Sequence, residues 1–201
     1  MTALPSWPNH LLTLEEFAAL PEDNTHRYEL QEGILIVSPR PVFVHQTVMQ
    51  CLAMELNRQL PKSLGALTEV EVVTNHKFPG SVRVPDIVVL PRELAKTVTP
   101  RVTGKPGNEA TIVVEIISPG SHLTDTVAKP VEYANLGIPH YWVIDLEPPI
   151  SLTAYHLAGE FGYQEAPAVT GTFTTSEPSP LSIDLQPLTD LDAYIERMMN
   201  R

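Results

Sequence analysis

Two acidic residues stand in stretches of sequence that are otherwise apolar. Glu115 lies inside the β-branched run of residues 111–117, and Asp86 directly precedes the apolar run of residues 87–90. Such runs predict strands that are buried on both faces. An ionised carboxylate in that setting is costly to desolvate, so it must be protonated, paired with a cation or bound to a metal. Two such acids predict one shared cation.

A metal site requires that the two acidic strands be neighbours. Along the second strand the pleat places Val113, Glu115 and Ile117 on one face, and Asp86 can project to the same side from an adjacent strand. Two carboxylates and a main-chain carbonyl, such as that of Ile116, suit a hard cation that keeps several waters. The sequence therefore predicts Mg²⁺ as the cofactor, with Mn²⁺ as its substitute.

A lysine follows the second acid on a predicted helix. Lys129 comes after a short turn, so its ammonium can return toward Glu115, and Tyr133 shares its helical face and is expected to touch the lysine or a phosphate. Pro130 predicts that the helix starts late or kinks beside the lysine. The plain alternative is an i,i+4 pair of Lys129 with Asp125, which contributes only about 0.3–0.5 kcal/mol.

The elements that must position these residues alternate between helices and strands. A capping box at Thr13 predicts a short helix, and Gly33 predicts the turn of a hairpin. The other predicted elements are a helix over 45–60, strands over 67–74 and 87–90, a loop over 92–108, the acidic strand, a helix over 121–136, a strand over 140–145, weak strands over 151–156 and 161–164, a Thr-rich turn region and a last helix capped near residues 189–190. This order predicts a mixed α/β fold, with a central sheet flanked by helices in a single domain.

The bulk properties of the chain limit its function. With 201 residues, of which 43% are hydrophobic and 18% charged, it is typical of a soluble globular protein, and no run predicts a membrane span or a secretory signal. We therefore expect a cytoplasmic protein. Cys51, the one cysteine, excludes a disulfide framework and is predicted to be a small core residue. The net charge of −11 argues against non-specific binding of nucleic acid.

The motifs of residues 13–146 follow a recognisable order. They are Tyr28-Glu29-Leu30 with Gly33, Ser38-Pro39, His45-Gln46, Pro85-Asp86, Val114-Glu115-Ile116 with Ser118-Pro119, then Asp125, Lys129, Tyr133, Gly137 and Tyr141-Trp142-Val143-Ile144-Asp145. In type and spacing they resemble the Uma-type restriction endonucleases of the PD-(D/E)XK nuclease superfamily. Residues 150–201 carry no comparable signal and are expected to add C-terminal strands and a helix to the same domain.

The resemblance implies a restriction-endonuclease-like fold and a metal-dependent DNA endonuclease. Asp86 and Glu115 would hold the metal, with Glu29 as a further acid in the cleft. Ile117 occupies the usual lysine position, so Lys129 would be the catalytic lysine, supplied by the following helix. The implied reaction is hydrolysis of a phosphodiester bond by a metal-activated water. A homodimer would give one site for each DNA strand.

Other interpretations remain open from the sequence. The chain could be a catalytically inactive member of this fold that binds a protein partner, or a hydrolase of small phosphorylated metabolites. Glu115 could be a structural acid paired with Arg83 or Lys129, and Glu29 a solvated edge residue. His45 is predicted to cap a helix or face solvent in preference to touching substrate. Tyr141 and Trp142 are predicted to be core residues in preference to base-stacking platforms.

Overall fold

A computed structural model of the protein describes residues 8–21, 23–95 and 109–199. The α-helices are α1 (Leu14–Ala18), α2 (Phe43–Gln59), α3 (Arg92–Ala95), α4 (Lys129–Asn135) and α5 (Leu191–Met199), and a π-helical segment, Thr124–Ala128, precedes α4. The strands are β1 (His26–Gln31), β2 (Ile34–Pro39), β3 (Leu64–Thr68), β4 (Val72–Asn75), β5 (Ser81–Arg83), β6 (Ile87–Pro91), β7 (Ile112–Ile116), β8 (His140–Asp145), β9 (Ser151–Leu157), β10 (Tyr163–Glu165), β11 (Val169–Thr170), β12 (Thr172–Thr175) and β13 (Leu181–Asp184). None of the helices in these described ranges is long and apolar enough to cross a membrane.

The central sheet has the strand order β10-β9-β8-β7-β6-β3, and β11 also pairs with β9. Strands β7 and β8 are parallel, whereas the other pairs along this order are antiparallel. Every residue of β7 is buried, as its continuous apolar run predicts for a central strand. The predicted mixed sheet flanked by helices is therefore confirmed.

Each face of this sheet packs into a different cluster of buried apolar residues. Ile112 and Val114 pack on the side of α2, α5 and the β12-β13 hairpin, together with the buried Trp142. Val113 and Tyr141 pack on the other side, against Tyr133 of α4. The alternation along β7 and β8 follows from the period of two in a strand, and the prediction of Tyr141 and Trp142 as core residues is confirmed.

A smaller sheet has the order β2-β1-β5-β4. Its hairpin turns at Glu32 and Gly33, both with positive φ, as the glycine predicts. The β1-β5 pairing aligns Leu30 with Val82, and this places the polar face of β1 beside the start of β6. The capping box at Thr13 is also present, with Glu16 as its partner.

Three predictions about elements are wrong. The single strand over 67–74 is two strands in different sheets, because the chain turns at Glu69, whose φ is 53°. The loop over 92–108 begins with the helix α3, and residues 96–108 lie outside the described residues. The Thr-rich turn region contains the hairpin β12-β13, which completes one face of the core through Phe173 and Ile183.

The helix that carries Lys129 has the irregularity predicted from Pro130. The Lys129 N–H donates to the carbonyl of Thr124, five residues earlier, so the chain is π-helical up to the proline. Pro130 then lies in the first turn of α4, where its missing N–H costs little. The last helix is capped by Asp190, whose carboxylate accepts from the Ala193 N–H, also as predicted.

Candidate active site

The two acids predicted from the sequence lie next to each other at the end of neighbouring strands. The register that pairs Ile87 with Val114 places Asp86 beside Glu115, one step further along β6 and β7. Both side chains are 98% or more buried, and both line a cleft of about 540 Å³. The cleft is bordered by the end of β2, the start of α2, the turn after β7 and the π-helical segment.

Asp86 is held on three sides. Its Oδ1 accepts from Arg27 at 3.0 Å, and its Oδ2 accepts from the Ile116 N–H at 2.7 Å and lies 3.3 Å from His45 Nε2. Burial favours the neutral acid, but the hydrogen bond from His45 and the charge of Arg27 outweigh burial and lower the pKa of Asp86. Asp86 is therefore a fixed anion in the cleft wall.

Glu115 has a different environment from the neighbouring Asp86. Its Oε1 lies 2.9 Å from Lys129 Nζ and accepts from the Tyr133 hydroxyl at 2.9 Å. Burial raises the pKa of Glu115 to about 8. The positive charge of Lys129 opposes this rise, whereas the negative charge of Asp86 adds to it. Tyr133 is fully buried, so its hydroxyl orients Glu115 and does not face the cleft.

Lys129 contacts both of the acids predicted as its neighbours. Its Nζ lies 2.9 Å from Glu115 Oε1 and 2.9 Å from Asp125 Oδ1, so the predicted i,i+4 pair is also present. Burial alone would lower the lysine pKa, but the carboxylates of Glu115, Glu29 and Asp125 raise it above its ordinary value. The ammonium therefore stays charged at neutral pH.

Glu29 lines the cleft and is buried, so the edge-residue interpretation is wrong. Its two oxygens accept from Arg83 at 3.1 Å and from the Val84 N–H at 3.0 Å. Lys129 is further away, at 3.9 Å. Arg83 also forms a bidentate ion pair with Glu132 of α4. It therefore links β5 both to β1, through Glu29, and to α4. The ion pairs of Arg83 are therefore with Glu29 and Glu132 and not with Glu115, which was one interpretation of the sequence.

The prediction that His45 caps a helix or faces solvent is wrong. The residue is in the first turn of α2 but only 3% exposed, because that turn lies against the end of β7. Its Nε2 donates to the carbonyl of Ile116 at 2.9 Å. The carbonyl and the Asp86 carboxylate are both acceptors, so Nε2 carries the proton here. The ring thus contacts two of the three ligand groups predicted from the sequence.

The acids around the cleft outnumber the cations. In the ion-pair network of the described residues, six carboxylates share four cationic side chains: Glu29, Glu69, Asp86, Glu115, Asp125 and Glu132 with Arg27, Arg40, Arg83 and Lys129. A divalent cation would neutralise this excess, and carboxylate and carbonyl oxygens suit it. As they are arranged in the described ranges, no three or more His, Cys, Asp or Glu side chains form a group that could hold a metal, so a carbonyl, waters and a turn of a side chain must complete any site.

The sequence did not predict that Arg27 pairs with Asp86, and Arg83 was considered as a partner of Glu115 whereas it pairs with Glu29 and Glu132. Arg27 and Glu29 are two residues apart on β1 and therefore share a face, which is a weak signal for Arg27. Arg27 is also held by Glu69, whose strained φ of 53° aims its carboxylate at the guanidinium. No local signal exists for Arg83, because its partners come from distant segments.

A mixed sheet with paired acids at the ends of two central strands is the arrangement that the resemblance to restriction-endonuclease-like proteins predicts. The model of the Uma2 family, described as "Putative restriction endonuclease", matches residues 14–192, and the chain belongs to that family. Among solved structures, it is similar to a protein of Anabaena variabilis described as a putative nuclease, with 20% identity over 91% of this chain and 99% of that chain and a TM-score of 0.66. This likeness confirms the predicted fold. No curated protein matches the chain.

Proposed function

We propose that this protein is a metal-dependent endonuclease that hydrolyses phosphodiester bonds of DNA. The observation that carries the proposal is the pairing of Asp86 and Glu115 in one open cleft, with Lys129 Nζ 2.9 Å from Glu115. Membership of a family described as restriction endonucleases supports the substrate class. Asp86, Glu115 and the Ile116 carbonyl would hold Mg²⁺, for which Mn²⁺ could substitute.

The cation, when bound, supplies a Lewis acid that activates water and offsets charge on the phosphate. The protein's own groups set the geometry. The Ile116 N–H and Arg27 fix the Asp86 carboxylate, so this acid does not have to reorganise when substrate enters. Glu115 Oε1 is held by the Tyr133 hydroxyl and Lys129, and this side chain would turn toward the cation.

Lys129 has a defined part in this reaction. Because its pKa is raised, it remains an ammonium and cannot accept a proton from water. Its charge instead stabilises the negative charge that develops on the phosphate oxygens as the bond to the leaving oxygen breaks. Asp125 and Glu115 hold the ammonium at the cleft wall. A lysine on β7 would be positioned by the strand itself, whereas Lys129 on α4 is positioned by these two ion pairs.

The substrate class can be tested with a panel of polymers and small molecules. Purified protein with Mg²⁺ or Mn²⁺ should cleave supercoiled plasmid and linear DNA and leave nucleoside phosphates intact. Turnover of nucleotides with none of polymers would identify a hydrolase of small phosphorylated metabolites. Tight metal binding without turnover of either class would identify an inactive member of the fold that serves as a binding module.

Metal binding should depend on pH through Glu115. Below its pKa of about 8 the cation must displace a proton from this carboxyl, so affinity should rise with pH by up to about tenfold per unit and level off above about pH 8. Calorimetric titration with Mn²⁺ across this range measures the slope. Glu115→Gln should flatten the profile. A wild-type affinity that does not change between about pH 6 and about pH 8 would contradict the proposal.

Three further predictions accompany the proposal. The whole chain, residues 1–201, is expected to form one nuclease-like domain, and this is supported by the contact of Tyr194 in α5 with Glu55 in α2. The homodimer also stays a prediction, which sedimentation of the purified protein can test. We expect the protein to act in the cytoplasm, where its DNA substrate is present.

A further inference from the structure

His45 presents a nitrogen to the same oxygens that are expected to hold the metal. Its Nε2 lies 2.9 Å from the Ile116 carbonyl oxygen and 3.3 Å from Asp86 Oδ2. The imidazole lines the cleft and is 97% buried, so it is held in place by the packing of α2 against β7. Histidine is absent from the ligand set predicted from the sequence.

These separations match those of neighbouring ligands on one cation. Ligands about 2.1 Å from a metal and at right angles to each other are about 3.0 Å apart. The two observed distances lie on either side of that value. In this structure the Nε2 N–H faces the same two oxygens, so a cation that replaced the proton would meet all three atoms at these separations.

The other ring nitrogen leaves His45 free to act as a ligand. Nδ1 is buried and has no hydrogen-bond partner among the described residues. The Ile116 carbonyl and Asp86 hold the proton on Nε2 in this structure, but no described group at Nδ1 prevents its transfer there. The ring can therefore present the Nε2 lone pair once a cation binds those oxygens and the proton resides on Nδ1. Metal-binding histidines are commonly fixed in that tautomer by a partner of the second nitrogen.

We propose that His45 is a metal ligand, so that Nε2 joins the carboxylates of Asp86 and Glu115 and the carbonyl of Ile116. This inference rests on the proposed function. The set is complete only when Glu115, whose Oε1 is engaged by Lys129 and Tyr133, also turns to the cation. His45 enters from α2 and thereby ties that helix to the metal.

A nitrogen ligand changes which cation the site prefers. Mg²⁺ favours oxygen ligands in octahedral geometry, whereas imidazole suits first-row transition metals. With His45 in the set, the protein should bind Mn²⁺ and Co²⁺ more tightly than Mg²⁺. Nuclease activity should then be supported by Mn²⁺ at lower concentrations than by Mg²⁺.

The test compares metal binding in the full chain with and without the imidazole. His45→Gln keeps a side-chain N–H that can donate to the Ile116 carbonyl but removes the nitrogen ligand. Affinities for Mn²⁺ and Mg²⁺ are measured by calorimetry, and pulsed electron paramagnetic resonance of bound Mn²⁺ detects nitrogen coupling. The matched control is His122→Ala, since His122 is exposed near the same cleft.

The wild type and His122→Ala should show the coupling of a coordinated imidazole, and His45→Gln should lose it. The variant should also bind Mn²⁺ at least about tenfold more weakly, with a smaller loss for Mg²⁺. Mn²⁺ binding without nitrogen coupling, or equal losses for both cations, would overturn the role of His45 alone. If the wild type bound neither cation, the metal site and the proposed function would fail together.

Discussion

Asp86→Asn is expected to lower metal-dependent DNA cleavage by on the order of a thousandfold while leaving the protein folded. The amide removes a negative charge from the expected metal site, and the affinity for the cation falls with it. The Asn oxygen can still accept from the Ile116 N–H, and Arg27 keeps Glu69 as its partner. Initial rates of plasmid nicking at saturating Mn²⁺ measure the loss.

The control for this prediction is Asp192→Asn, which removes an exposed acid from α5. Its rate should equal that of the wild type, so the loss in Asp86→Asn cannot be assigned to the change in net charge. Circular dichroism and thermal unfolding check the fold of both variants. A fully active and well-folded Asp86→Asn would show that this carboxylate serves only to pair with Arg27.

Lys129→Met should affect both activity and stability. The ammonium is the partner of Glu115 and Asp125, and it is only 6% exposed. Removing one member of a buried ion pair leaves uncompensated charge and typically costs about 3–5 kcal/mol. The loss should be greater above about pH 8, where Glu115 is ionised, and smaller below it. The rate of DNA cleavage should fall by on the order of a hundredfold or more. This rate is measured on the fraction of the variant that is still folded.

Urea unfolding at two pH values separates these effects. Lys62→Met, which removes an exposed lysine beyond the end of α2, should change the free energy of unfolding by less than about 0.5 kcal/mol. If Lys129→Met unfolded at the same urea concentration as the wild type, the ion pairs of Lys129 would not form in solution. Normal cleavage by the folded variant would remove Lys129 from the reaction.

The acids of the cleft were predictable because burial and charge conflict within a short stretch of sequence. A carboxylate in a run such as that around Glu115 is rare enough to indicate a partner, and strand periodicity then gives its direction. Lys129 was predictable for a similar reason, since a helix that follows β7 must pack back onto the sheet. The irregular start of that helix followed from Pro130 alone.

The partners from distant segments could not be predicted. Arg27 meets Asp86 across 59 positions of sequence, and His45 meets Ile116 across 71, so these contacts depend on how β1 and α2 pack against the central sheet. In the hairpin β12-β13, the threonines of β12 give no clear alternation of apolar and polar residues, whereas β13 (Leu181–Asp184) does alternate and was overlooked. Its place in the core is set by long-range packing, which overrides weak local preference.

Metal-dependent hydrolysis that requires Glu115 can be measured on supercoiled plasmid. Wild-type protein and Glu115→Gln are incubated with plasmid in Mg²⁺, Mn²⁺ or EDTA, and the nicked product is quantified. We expect nicking by the wild type with either metal, none in EDTA and none by the variant. Equal cleavage by Glu115→Gln, cleavage in EDTA, or no cleavage by the wild type with either metal would contradict this expectation.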